Sequence, residues 1–249
     1  MRIVKHSLIN DFANMLLYCR KPLGLMIYED ETDKPIYYDE FLNHVRSIDK
    51  DADIRFGMSK MAIIAPSLEG VVIKIPFSGT YEYFDESYGF NDPIDTLFVT
   101  DELDYKYYYE PFTEHEDYCK LEYQKYKQLY RKNLDPFVAA TRPYGTSAGF
   151  EVYIQEEIIT NEYAKASSLR RPSRASKSIA AQITNNSTIA IDKEWLANCV
   201  ESYGENMTKR FIHYCEFTDY SIVKDLHMGN LGYRKDGTAC ICDYTGFEA

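Results

Sequence analysis

Near the start of the chain, apolar residues recur three and four positions apart. Leu8, Ile9, Phe12, Met15 and Leu16 follow Ser7 in this way, and Phe41, Leu42 and Val45 follow Asp39. That spacing puts each set on one helical face, so residues 1–50 are predicted as a helical N-terminal extension. The period then changes. In DIRFGMSKMAIIAPSLEGVVIKIPF, residues 53–77, short apolar segments are separated by a turn at Gly57 and by a second turn from Pro66 to Gly70. This pattern predicts three consecutive antiparallel strands. Residues 78–112 are acidic, rich in Tyr and Phe and without a sustained period, and read as an insertion. Thr113 opens a T-x-x-E capping box leading into a helix through Arg131. Two further strands are predicted in FVAATRPYG and FEVYIQEEII, and KASSLRRPSRASKS, residues 165–178, is basic, Ser-rich and broken by Pro, as an exposed loop is. A helical hairpin interrupted at Gly204 precedes the last strands. The pattern divides the chain into residues 1–50, 51–160 and 161–249, an α+β organisation.

Composition narrows the setting. A chain of 249 residues can bury a substantial core. A formal charge of -11 and a pI near 5.0 repel phosphate backbones and argue against direct nucleic-acid binding. No apolar run approaches the roughly 18 residues needed to span a bilayer, and MRIVKHSLINDF lacks a signal peptide's apolar segment. A cytoplasmic protein without membrane contact is expected. The six cysteines, at 19, 119, 199, 215, 240 and 242, form no C-x-x-C pair and no regular framework, so they are read as reduced, mostly buried thiols.

Chemistry concentrates in KDLHMGNLGYRKDGTACICDYTGF, residues 224–247. LGYR and ACIC read as strands around a KDGT turn, in a register that pairs Arg234 with Ala239 and Asn230 with Asp243. An amide oxygen beside a carboxylate makes a hard donor pair of the kind that holds magnesium when phosphates and water complete its shell. Asp225, five residues before Asn230, is near enough to orient a hydroxyl for in-line attack. The plainer alternative is a hairpin whose Asp and Asn residues bond only local backbone.

DLHMGN followed by CDY resembles the catalytic loop and metal-binding Asp of the protein-kinase-like superfamily, in the D-x-H-x-x-N form of antibiotic phosphotransferases and of small phage and bacterial-effector kinases. The resemblance spans residues 53–247 and implies a two-lobed fold with a truncated, helical C-lobe, binding ATP with Mg2+ or Mn2+. It implies a strand Lys for the phosphates, matched by Lys74 in VVIK, and a helix Glu to hold that Lys. On a helical wheel Tyr118, Leu121, Tyr126 and Leu129 share a face with Glu122 near its centre; Glu114 is the second choice. The loop FGMSKMA stands where a glycine-rich loop would, with Gly57, Ser59 and Lys60 as phosphate-covering candidates. Asp225 then corresponds to the catalytic base, and Asn230 and Asp243 to the metal ligands.

Departures from the family pattern shape the expectation. D-F-G becomes DYTG, Val223 stands where a His would precede the catalytic Asp, and His227 stands where many Ser/Thr kinases have Lys. With the sequence closing at Ala249, no activation segment or later docking helices are expected. The resemblance thus implies a constitutively active Ser/Thr protein kinase acting on host proteins, with the N-terminal helices or the acidic insertion recognising the target. Ser173 and Ser176, in an Arg-rich context, are candidate autophosphorylation sites. Three alternatives stay open: a small-molecule phosphotransferase, a pseudokinase that binds a partner through its acidic surface, and an AMP transferase.

Overall fold

The computed structural model describes residues 6–14, 26–27, 38–56, 60–83, 105–111, 118–147, 150–160, 171–224, 226–227 and 229–245. In chain order these hold α1 (His6–Asn14), β1 (Met26–Ile27), α2 (Tyr38–Ile48), β2 (Asp53–Phe56), β3 (Lys60–Ile64), β4 (Val71–Tyr83), β5 (Tyr105–Pro111) and α3 (Tyr118–Arg131). There follow β6 (Thr141–Ser147), β7 (Phe150–Glu156), β8 (Ile159–Thr160), α4 (Arg174–Asn185), α5 (Lys193–Tyr203), α6 (Glu205–Phe217), α7 (Ser221–Lys224), β9 (Leu231–Tyr233) and β10 (Ala239–Ile241). The fold is α+β. Among the described residues no helix is long and apolar enough to cross a membrane. Two compact units form, one from Met1–Cys119 with Pro143–Ile154, the other from Lys120–Arg142 with Gln155–Ala249.

The first unit is built on the antiparallel order β2-β3-β4-β5-β1, with β7 also pairing β4 and β6 pairing β7. β2, β3 and β4 are the three strands predicted between residues 53 and 77. Ile9 and Phe12 of α1 and Leu42 and Val45 of α2 lie in one core with Ile54, Met61, Ile63, Ile73 and Ile75. The N-terminal helices therefore share their apolar faces with the sheet. Between β3 and β4 a short 3-10 turn, Pro66–Leu68, leads to Glu69 and Gly70, both with positive φ (52° and 92°). Asp49, just past α2, accepts from the backbone N–H of Ser67 at 2.9 Å and of Asp51 at 3.1 Å. Hydrogen bonding from Ser67, its hydroxyl first and then its backbone N–H, holds the Asp49 carboxyl below the ordinary value.

The region predicted as an insertion is strand at both ends. Residues of β4 and β5 pair from Phe77 opposite Pro111 to Tyr83 opposite Tyr105, making a two-stranded ribbon that β1 extends through Met26 opposite Tyr107. Aromatic residues at successive positions in YKYYYEP hide a strand's alternation while favouring the extended backbone, which is why period alone missed it.

The second unit packs Phe137, Leu129, Leu134, Trp195, Phe211 and Tyr244 into a separate core. Phe137 stacks on Phe211 with ring centroids 4.2 Å apart. α3 ends in a Schellman turn: Asn133 takes φ 54°, its N–H reaches Tyr130 O, and Leu134 N–H reaches Leu129 O at 2.9 Å. Leu129 and Leu134 are both buried there, the apolar contact that accompanies this ending. α5 starts where Asp192 accepts from Trp195 N–H at 2.7 Å, and Gly204, at φ 83°, separates α5 from α6 as the sequence predicts.

One predicted loop is corrected. Within residues 165–178, α4 begins at Arg174, with Ser173 as its N-cap accepting from Ser176 N–H at 3.2 Å. Ser176 is buried and donates its hydroxyl to Glu201 Oε2 at 2.6 Å. The capping Ser outweighs the basic, polar composition that suggested a loop, and Ser176 is closed to a phosphate donor.

Candidate functional site

The closing hairpin follows a different register from the predicted one. β9 and β10 pair Tyr233 with Ala239 and Leu231 with Ile241. Arg234 N–H donates to Thr238 O, Gly237 N–H to Arg234 O, and Gly237 takes φ 85°. A type I turn closed by a left-handed Gly needs only residues 235–237 between the paired positions, so the pairing slips by one residue. Asn230 consequently faces Cys242, whose N–H donates to Asn230 O at 2.9 Å, and Asp243 comes one step later.

Around this end the loop is held by its own backbone. His227 O accepts from Asn230 N–H at 2.9 Å and Leu231 N–H at 3.1 Å, and His227 Nδ1 accepts from Gly229 N–H at 3.0 Å. Asn230 is buried; Asp243 is half-buried, with Thr245 Oγ1 donating to its Oδ1 at 3.3 Å. Asp225, the expected base, lies outside the described residues, as do Gly57 and Ser59 of the expected phosphate loop and Thr113 and Glu114 of the capping box. Among the described residues no three His, Cys, Asp or Glu side chains cluster as a metal site. One carboxylate and one amide oxygen, with the rest of the shell left to phosphate and water, is nonetheless the set magnesium ordinarily takes from a protein. The donor chemistry of Asn230 and Asp243 fits such an ion.

In the first unit, Lys74 is buried in β4 between Ile73 and Ile75, opposite Ala62, and Lys60 is buried at the start of β3, opposite Pro76. Neither is without an interaction partner. Glu122, in the second unit, is completely buried, on the apolar face of α3 where the helical wheel puts it. An ionised group so placed costs several kcal/mol unless its oxygens are bonded.

Part of that bonding comes from residues the sequence reading did not select. Gln155 Nε2 donates to Glu122 Oε2 at 3.2 Å and to Thr141 Oγ1 at 2.8 Å. The Tyr244 hydroxyl lies 2.9 Å from both Thr141 Oγ1 and Ala139 O. Glu122, Gln155, Thr141 and Tyr244 are all buried, so a polar chain runs through the second unit from α3 to the residue after Asp243. Burial, and next the Glu122 carboxylate, keep the Tyr244 phenol far above its usual range, so the hydroxyl stays a donor at any working pH. The available signal was Gln155 itself, an amide inside the apolar run VYIQ. α3 is also tied by Lys125, whose ammonium contacts both Asp219 oxygens, at 3.0 and 3.1 Å, and Ser221 Oγ ahead of the DLHMGN loop.

Comparison with protein-family models, with curated proteins and with solved structures finds no match to this chain.

Proposed function

We propose that the chain is an ATP-dependent phosphotransferase, and within that class a Ser/Thr protein kinase acting on host proteins. The observation that carries this reading is the hairpin: it brings Asn230 against Cys242, beside Asp243, directly after a loop of sequence DLHMGN. Burial of the ionisable groups Lys74 and Glu122 supports the same reading.

In the proposed reaction the acceptor hydroxyl attacks the γ-phosphorus, the bond to the β–γ bridging oxygen breaks, and ADP leaves. Asp225 orients the hydroxyl and takes its proton. Asn230 and Asp243 would hold Mg2+ or Mn2+, which would offset phosphate charge. The kinase resemblance would give Lys74 the phosphates, Glu122 the matching charge, and Gly57, Ser59 and Lys60 the part of the phosphate-covering loop.

The test is transfer of label from the γ-position of ATP into proteins, with magnesium or manganese. Label transferred by wild type and lost in Asp225→Ala, with nucleotide binding kept, is the expected result; Asp243→Ala should weaken binding and transfer together. Equal labelling by wild type and Asp225→Ala would refute the catalytic assignment. Label arriving from the α-phosphate instead would assign AMP transfer.

A further inference from the structure

The proton inventory of the buried chain fixes the orientation of the Gln155 amide. Gln155 has two amide hydrogens, spent on Glu122 and Thr141. Rotating the amide would turn its oxygen onto the Glu122 carboxylate, acceptor against acceptor. With Thr141 Oγ1 already accepting from Gln155, the Thr141 and Tyr244 hydroxyl protons are left for each other's oxygen and for Ala139 O, 3.3 and 2.9 Å away. Both assignments use every proton. Removing the Thr141 hydroxyl therefore leaves a buried Gln155 amide hydrogen without its acceptor, whereas without the Tyr244 hydroxyl Thr141 still donates to Ala139 O and accepts from Gln155.

We infer that Gln155, Thr141 and Tyr244 are positioning residues that hold Glu122 in its inward orientation and couple it to the segment carrying Asp243. This inference rests on the reading of Glu122 and Asp243 as nucleotide-site residues. It adds that the Thr141 hydroxyl, by accepting from Gln155, keeps that amide turned to Glu122, while the Tyr244 hydroxyl links Thr141 to the segment after Asp243.

The experiment compares wild type with Tyr244→Phe, Thr141→Val and Thr141→Ser, since Val keeps the shape of Thr without the hydroxyl and Ser keeps the hydroxyl. Affinity for ADP is measured by calorimetry without turnover, and KM for ATP and kcat are measured separately. The expected result is about tenfold weaker ADP binding and higher KM in Thr141→Val, with a smaller loss in Tyr244→Phe, a smaller change in kcat and Thr141→Ser within about twofold of wild type. Unchanged ADP affinity in Thr141→Val, a loss in Tyr244→Phe larger than in Thr141→Val, or a loss in Thr141→Ser as large as in Thr141→Val would overturn the inference while leaving the phosphotransferase reading intact. A wild type that binds no nucleotide would overturn that reading and this inference with it.

Discussion

Arg234→Met is expected to destabilise the second unit by about 3 kcal/mol. The Arg234 guanidinium donates four times: Nε to Glu156 Oε1 at 2.9 Å, Nη1 to Pro136 O at 2.7 Å and to the Tyr203 hydroxyl at 2.9 Å, and Nη2 to Val138 O at 3.0 Å. It thus ties the hairpin to the 3-10 turn (Asp135–Phe137), to the end of β7 and to the C-terminus of α5. Charge-assisted bonds contribute about 1.5–3 kcal/mol each, but they do not add fully here. The Arg234 and Glu156 side chains are 19% and 30% exposed, so water replaces part of the loss. Pro136 O keeps the Tyr203 hydroxyl at 2.8 Å and Glu156 keeps a long contact from Ala140 N–H, which makes Val138 O the most deprived acceptor. The total falls at the low end of the range for breaking a buried pair, about 3–5 kcal/mol. For a chain of this size that corresponds to a melting point lower by about 6–12 °C. Trp195, the chain's single tryptophan, is fully buried and donates its indole N–H to Gly232 O at 3.3 Å, so its fluorescence reports unfolding of this unit. Arg234→Lys should recover only about half of the loss, because one ammonium cannot reproduce the planar fork. A Met variant melting within about 1 °C of wild type would show that these bonds merely replace water and contribute no net stability.

Two further outcomes follow from the same unit. Gly232→Ala should lower the urea midpoint by an amount equivalent to about 1–3 kcal/mol, because an added Cβ would lie 2.4 Å from Ile159 O and 2.9 Å from Thr160 Cα; an unchanged Trp195 transition would contradict that approach of β8 to β9. Asp236 accepts from Thr238 N–H at 2.9 Å and from its hydroxyl at 2.7 Å, which depresses its carboxyl below 3.8. Its contribution is therefore complete above that unfolded value and is lost as pH falls through the lower folded one. An NMR titration of the Thr238 amide should show this acid transition in wild type and none in Asp236→Asn.

What the sequence by itself determined is local. Ser7 and Asp39 precede stripes of apolar residues, and Ile9, Phe12, Leu42 and Val45 from those stripes are core residues. The inward phase of Glu122 follows from 100° steps along its own helix, as does the break at Gly204 from a position that takes positive φ. Each depends on residues within a turn or two of one another. Tertiary structure decided what depends on partners far along the chain. A one-residue slip exchanges the faces of a strand, but ACIC is apolar at every position and leaves both hairpin registers open, so the choice fell to the turn geometry that Gly237 permits. The ribbon of β4 and β5 exists because each strand finds the other, not because either shows a period. Glu122, Gln155, Thr141 and Tyr244 become a single polar chain only when α3, β6, β7 and the segment after β10 are packed. A buried amide or hydroxyl must find a partner somewhere. Its sequence neighbours state that requirement, and only the packed fold names the partner.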